Sequence, residues 1–547
     1  MRIFTPTLLA AMLLLNSCAY RNKEADLVVR NARIVSMDEA GTTHTAMAIK
    51  DGRILELGAE YQILNRYRAK EVFDAGTRFI YPGFIDGHCH FLGHGLNKQK
   101  VNLSGAKSWS EVLSRIEAYA KAHPGTGWMI GRGWDQNLWP DKANPTNDSL
   151  NILFPDRPVL LQRVDGHAAV VNQKALDSAG LTTESAIAGG LLEKKDGKLT
   201  GLLLDNAVSV FQQIFEDVDE PTKRQALLDA QQDCLAAGLT MVCDAGLDAG
   251  TIDLIKRMQE EGALKIRVYA MLADDSTNFE RYADGPLISD RLIVRAVKCY
   301  ADGALGSRGA LLLKPYSDDP AAGHGLQLST REHFVKVAQW CKDNGFQMAT
   351  HCIGDSANRL LLGVYGEVLQ GTNDLRWRIE HAQCMDPADF DLFGKYNIIP
   401  SVQPTHATSD MLWAVDRLGP ERLANAYAWE RLMQQNGMLA LGTDFPVEGI
   451  DPLKTFYAAV IRKNDAGVPP KGFQMKDALG REDALRGMTI WNAMATFTEQ
   501  DLGSLESGKF ADFIVVDRDL LQVGGDQLKK ARVAATFLNG EAVSTGR

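Results

Sequence analysis

From Gly238 to Asp444 the chain repeats one pattern, a short apolar run followed by a longer stretch with helical periodicity. The runs GLTMVCDAG, LIVRAVKCYADG, GFQMATHC, RWRIEHAQ, NIIPSVQP and GMLALGTD have the length of strands. They are too apolar for a sheet with one wet face, which predicts parallel strands covered by amphipathic helices. Repetition of this unit favours a (β/α)8 TIM barrel, whose reactive residues sit at the C-terminal ends of its strands. The chain ends read differently. ADLVVRNARIVSMD and AMAIKDGRILELG, and later GKFADFIVVDRD and ARVAATFLNGEAV, alternate apolar and polar residues, with Asp51-Gly52 and Asn539-Gly540 as hairpin signals. The expected architecture is α/β: a barrel over residues 81–499 and a small composite β-sandwich domain formed from both termini, residues 18–80 and 500–547. Within the barrel, the segment at about 137–201 breaks the rhythm with DKANPTNDS, PDRP and paired glycines, and reads as an insertion over one barrel end.

Residues 1–17 carry Arg2, an apolar run from Leu8 to Leu15 and a small or polar exit before Cys18, the layout of a secretory signal too short to span a membrane permanently. Leu15-Asn16-Ser17-Cys18 resembles a bacterial lipobox, in which cleavage leaves the cysteine as a lipid-carrying N-terminus; an ordinary signal with an accidental cysteine is the plain alternative. The expected protein is exported and held to a membrane through a lipid on Cys18. Ala19 resembles the residue found there in lipoproteins sorted to an outer membrane, facing the periplasm.

Composition narrows the partners. With 59 Lys plus Arg against 69 Asp plus Glu, the net charge of -10 argues against nucleic acid. Hydrophobic residues at 45% allow a large buried core. The eight cysteines are too few and too dispersed for a disulfide scaffold. The oligomeric state stays open, a homodimer included.

The strand FIYPGFIDGHCHF places His88 and His90 two apart, so both imidazoles point to one side of an extended chain, as chelation of a metal requires. His351 closes GFQMATHC, His381 closes RWRIEHAQ and Asp444 closes GMLALGTDFPV, each at a strand end, in a chain with only 11 histidines. Lys298 lies inside the apolar strand LIVRAVKCY, where an ammonium ion is costly to bury. One remedy is a carbamate formed with carbon dioxide, an anion able to bridge two metal ions; the other is an ion pair with a carboxylate such as Asp302.

The succession GFIDGHCH, VKCYADGALGSRGALL, THCIGD, IEHAQ, SVQPTH, GTDFPV and LGSLESGKFADFIVVD resembles the amidohydrolase superfamily. Within it, the chain is similar to the branch containing N-substituted formamide deformylase and related exoenzyme-type amidohydrolases. The resemblance implies that His88 and His90 hold a first metal, that His351 and His381 hold a second, and that carboxylated Lys298 bridges them. It implies that Asp444 contacts the first metal and the attacking water. Zinc, as one or two ions, suits imidazole and carboxylate ligands without adding redox chemistry.

The implied reaction is hydrolysis of an amide or formamide C–N bond in a small molecule, with a metal-activated water as nucleophile and Asp444 orienting it, taking its proton and returning it to the leaving amine. A heterocycle deaminase, or a dipeptidase or aminoacylase, on the same metal site is an alternative. A catalytically inactive ligand-binding lipoprotein is another, which the full set of six residues argues against. Four residues are candidates for substrate contact, each with a plainer role beside it. His167 in VDGHAAVVNQKAL matches a histidine that related enzymes carry near the pocket, or is a surface loop residue. His406 in SVQPTH bonds the reacting carbonyl or is structural. Arg308 in the loop ADGALGSRGALL grips an anionic substrate end or is solvated, and Trp134 in GRGWDQNLWP walls an aromatic pocket or belongs to the core.

Overall fold

The computed structural model describes residues 23–211, 218–371 and 373–545, so the expected signal segment and Cys18 lie outside the described residues. Its central sheet carries eight parallel strands: β1 (Phe84–Cys89), β2 (Leu239–Leu247), β3 (Arg267–Ala273), β4 (Leu292–Tyr300), β5 (Gln347–Cys352), β6 (Arg378–His381), β7 (Ile399–Val402) and β8 (Ala440–Leu441). They neighbour one another in chain order. Beyond the ladder, Asp444 N–H donates to the His88 carbonyl at 2.8 Å and His90 N–H to the Phe445 carbonyl at 2.8 Å, so the last strand returns to the first. Gly442 permits that approach, because a Cβ there would sit 2.5 Å from the His88 nitrogen.

Strand apolarity follows from burial on both faces. Ile85, Met241, Cys243, Tyr269, Met271, Ala296 and Ala349 fill the barrel interior, while Val242, Val268, Val297, Met348 and their neighbours pack against the helical layer. Cys89, Cys299 and Cys352 belong to that outer layer, buried and free, as the thiols of apolar packing groups do.

The termini meet in two further sheets. Four strands pair in the order Arg53–Gly58, Ala46–Lys50, Lys23–Arg30, Tyr67–Asp74, and six in the order Glu541–Thr545, Val533–Leu538, Phe513–Val516, Phe79–Pro82, Arg33–Val35, Thr43–His44. Both share a core in which Leu27, Val29 and Ile49 touch Phe513, Val515 and Phe537. The hairpins turn at Asp51-Gly52 and Asn539-Gly540, where both members of each pair have positive φ.

Between β1 and β2 a separate six-stranded sheet runs from Val101 to Asp205, with the helix Trp109–Ala122 on its own core. It begins well before residue 137. Residues 101–134 supply a helix and then a strand (Met129–Trp134), the same period as a barrel unit, so their pattern did not set them apart. Among the described residues no helix is long and apolar enough to cross a membrane.

Candidate active site

Side chains at the C-terminal ends of the barrel strands converge on one point. The register of β1 against β2 shifts between Asp86 and Cys89, inserting one extra residue. Beyond this bulge His88 and His90 turn to the cavity side and Cys89 turns to the helices. On β4 and β5 the ordinary alternation suffices: Lys298 follows the inward Ala296, and His351 follows the inward Ala349. On β6, alternation would send Glu380 and His381 to opposite sides. A positive φ of 72° at His381 and 41° at Ala382 breaks it, and both side chains reach the interior. Asp444, three residues past β8, also has positive φ, 60°. Backbone strain of this kind persists where the surrounding structure holds it, commonly at a site.

Donor atoms of His88, His381 and Asp444 all lie within 4.8 Å of one another, and all three residues are buried. His90 Nε2 is 3.3 Å from Asp444 Oδ1, and Lys298 Nζ is 3.1 Å from His88 Nε2. His351 stands beside His381, ring centroids 4.6 Å apart, with its Nε2 3.4 Å from the Gly303 carbonyl. His406 Nε2 lies 3.6 Å from Asp444 Oδ2. Burial and the Lys298 ammonium push His88 down to about 4; burial and neighbouring imidazoles hold His351 and His381 well below their ordinary value. All three rings are therefore neutral, and His88 and His381 face the centre with a lone pair available, whereas His351 Nε2 donates to the Gly303 carbonyl. Burial alone would raise Asp444, but the imidazole of His90 beside it and the charges around it hold the carboxyl well below the usual range, so it is ionised.

The far sides of the His88 and His381 rings are held as well. His88 Nδ1 donates to Glu380 Oε2 at 2.5 Å, and Glu380 is clamped by Arg378, whose Nε donates to Oε1 at 2.6 Å. His381 Nδ1 donates to Gln403 Oε1 at 2.6 Å. Each bond fixes a tautomer with Nε2 turned inward. Lys298 has no carboxylate within 4.0 Å among the described residues, and burial pushes its amine down to about 8. Asp302, the alternative partner, accepts instead from the backbone N–H groups of Leu311, Ile353 and Gly354. Above this floor opens a cavity of about 760 Å³, lined by His90, Lys298, His351, His381, His406 and Asp444 from the barrel and by Arg132, Arg163, His167 and Asp205 from the inserted sheet.

A model of the amidohydrolase family matches residues 71–544. The chain belongs to the amidohydrolase family. It is 30% identical over 523 residues to the putative amidohydrolase YtcJ of Bacillus subtilis, covering 93% of this chain and 98% of that one. It is 24% identical over 534 residues to the N-substituted formamide deformylase of Arthrobacter pascens, covering 94% and 97%. Among solved structures, an uncharacterized metal-dependent hydrolase from Pyrococcus horikoshii superposes with a TM-score of 0.75 at 28% identity, covering 91% of this chain and 99% of that one.

The amidohydrolase site suits a metal ion on its own chemistry. Two neutral imidazoles and one carboxylate form a donor set for a divalent cation. Asp444 Oδ1 and His406 Nε2 are buried without a hydrogen-bond partner, as groups reserved for something else would be. Two expected substrate contacts stand elsewhere in this amidohydrolase. Arg308 does not line the cavity; its Nη2 pairs with Asp318 at 2.9 Å. Trp134 is buried in the core of the inserted sheet, its Nε1 donating to the Leu161 carbonyl at 2.7 Å, because the helix Trp109–Ala122 and Trp139 cover it. Glu380, Gln403, Asp205, Tyr300 and Arg132 enter the site without having been singled out in the sequence. Glu380 had a legible signal, two charges at period two inside the apolar strand RIEH; the others had none.

The loop after β4 meets the inserted sheet through its glycines. A Cβ on Gly303 or Gly309 would fall 2.2 Å or 2.4 Å from an Asp205 oxygen, and one on Gly306 would fall 2.8 Å from Arg163. Asp205 Oδ1 in turn accepts from His167 Nδ1 at 2.8 Å, and the His167 and His351 ring centroids are 4.9 Å apart. Burial works to lower His167, but Asp205 outweighs it and raises the imidazole above its ordinary value. Asp205→Asn removes that anion and frees the ring to turn. It is expected to lower kcat/KM by about 10²-fold, the usual cost of a misplaced group, with metal content unchanged. Steady-state kinetics beside metal analysis check this, and an unaltered kcat/KM would remove His167 from the working site.

Proposed function

We propose that this amidohydrolase hydrolyses the C–N bond of an amide or formamide in a small molecule, with water activated at a zinc site formed by His88, His381 and Asp444. The observation that carries the reading is the convergence of these three buried donors, with Lys298, His90 and His351 against them, on the floor of the cavity. Similarity to the Arthrobacter formamide deformylase supports the bond class. When bound, zinc supplies Lewis acidity, making water acidic near neutral pH and polarising a carbonyl.

The rest is the work of side chains. Glu380 and Gln403 hold the rings of His88 and His381 so that their Nε2 atoms are presented as lone pairs. The Asp444 carboxylate takes the proton of the attacking water and delivers it to the leaving nitrogen, which must depart as a neutral amine. His406, 3.6 Å from Asp444 Oδ2, is placed to hydrogen-bond the reacting carbonyl. Lys298, with no carboxylate within 4.0 Å among the described residues, would as a carbamate supply an anionic oxygen ligand for a second ion. The proposal includes export and anchoring through Cys18, which rests on the sequence of residues 1–18 alone.

Chelation is expected to abolish turnover by about 10³-fold, the scale of several kcal/mol of charge stabilisation, and zinc to restore it. The assay is metal analysis of the purified protein together with a panel of formamides, N-acyl amino acids and dipeptides. Formate release identifies a deformylase, a free amino acid an aminoacylase, and ammonia a deaminase. Metal-free protein that turns over the panel regardless of chelator would overturn the reading.

A further inference from the structure

The cavity wall contributed by the inserted sheet holds a cation whose hydrogen-bond donors are mostly unfilled. Arg132 lies on the strand Met129–Trp134 and lines the cavity. Its Nη2 donates to the Val164 carbonyl at 3.1 Å, its Nη1 reaches Gln162 Oε1 only at 3.5 Å, and its Nε is buried with no partner. A guanidinium has five N–H donors in a fixed fork; two contacts leave most of them unused. No carboxylate comes within 4.0 Å of Arg132 among the described residues, although three from the same lobe line the cavity. Asp135 and Asp165 are both claimed by Arg163, and Asp205 is claimed by His167. A charge withdrawn this far from solvent normally has its partner inside the protein. Half-buried Arg132 has none within 4.0 Å among the described residues, and it faces the cavity.

The surroundings fit an anion arriving from the cavity. Lys100 lines the same wall, and burial together with the Arg132 charge pushes its amine down to about 8, as happens when two cations share one region. Gly166, at φ +82°, keeps the flank of the guanidinium open: a Cβ there would touch Nη2 at 3.4 Å. Arg132 feels the charge of Asp165 first, and then those of Asp444 and Tyr300, and it lines the same cavity as Asp444, so the guanidinium and the reaction centre belong to one small-molecule-sized space. Arg308, the arginine singled out in the sequence, is already paired with Asp318.

We propose that Arg132 binds a carboxylate carried by the substrate, so that the amide cleaved at Asp444 belongs to an anionic molecule of the N-acyl amino acid class. This rests on the hydrolase reading above and narrows its substrate. A planar carboxylate matches the arginine fork and supplies the charge that the fold withholds.

The test uses the zinc-loaded full chain and a matched pair, N-formyl-leucine and N-formyl-3-methylbutylamine, which differ only in the carboxylate. Wild type is expected to favour the acid by about 10²-fold in kcat/KM, mainly through KM, the scale of charge-assisted hydrogen bonds. In Arg132→Gln the ratio between the two substrates should fall to within about threefold, and Arg132→Lys, which keeps the charge but loses the fork, should recover part of it. A wild-type enzyme indifferent to the carboxylate, or an Arg132→Gln variant that keeps the preference, overturns the assignment. If neither compound is hydrolysed, it is the formamide part of the hydrolase reading that fails. Calorimetric titration of both compounds into wild type and Arg132→Gln then decides the subsite: loss of about 10²-fold in affinity for the acid supports it, and equal affinity refutes it.

Discussion

Asp444→Asn is expected to lower kcat by about 10³-fold, within the range for loss of a positioned acid–base group, while the protein keeps its fold and its metal. The substitution isolates proton transfer. Asparagine tolerates the left-handed backbone at this position, φ 60°, better than most residues, so the loop past β8 is not forced to move. The backbone bond from residue 444 N–H to the His88 carbonyl, 2.8 Å, is untouched, and the amide oxygen still offers one neutral donor. What disappears is the negative charge and the capacity to take a proton. In the native protein that capacity is standing: the carboxyl is held ionised by His90, His88 and His406 against the effect of burial. A 10³-fold loss corresponds to about 4 kcal/mol of barrier. Metal stoichiometry by mass spectrometry, measured beside kcat, separates the two explanations of a slow enzyme: metal retained with turnover lost is the expected pair. A variant that keeps both would exclude Asp444 as the base.

Much of this site could be read in the chain because metal ligands of a barrel sit at strand ends and strand ends are marked by composition. His351, His381 and Asp444 each close an apolar run, and the structure brings His381 and Asp444 together with His88. Other parts could not be read, for identifiable reasons. Alternation alone puts Glu380 and His381 on opposite faces; only the positive φ at His381 lets both point inward, and φ is not written in the motif RIEH. The six-stranded insertion began in residues whose period equals that of a barrel unit, so Arg132 lay in what resembled scaffold. Arg308 and Arg132 are equally plausible anion grips in a sequence, and the choice between them depends on which has a carboxylate already in place. That is a fact of packing: Asp318 sits beside Arg308, whereas the acids near Arg132 are held by Arg163 and His167.

Glu380→Gln is expected to weaken metal binding by about 10- to 100-fold, the usual consequence of losing the group that orients a ligating histidine, and to destabilise the fold by about 3–5 kcal/mol, since it strands a buried cation. Both effects come from one carboxylate. Glu380 is fully buried, accepts from His88 Nδ1 on one oxygen and takes two bonds from Arg378, at 2.6 and 2.9 Å. Burial by itself would protonate it, but Arg378 and His88 keep its carboxyl well below the usual range. The glutamine amide cannot accept from both neighbours in the same geometry, so either His88 loses its tautomer or Arg378 loses its counter-ion. Arg378 also donates to the Gly87 carbonyl and to Ser401 Oγ, tying β6 to β1 and β7, which is why the damage reaches stability. A double variant distinguishes the two roles. Arg378→Met with Glu380→Leu removes both charges, and replacing a buried ion pair by apolar groups is often neutral. Denaturant midpoints should therefore recover much of the loss seen in the single variant. Metal affinity should not recover, because His88 Nδ1 still lacks its acceptor. If the double variant binds the metal as tightly as wild type, Glu380 serves the scaffold alone, and the orientation of His88 must come from Lys298 and Asp444 on its other nitrogen.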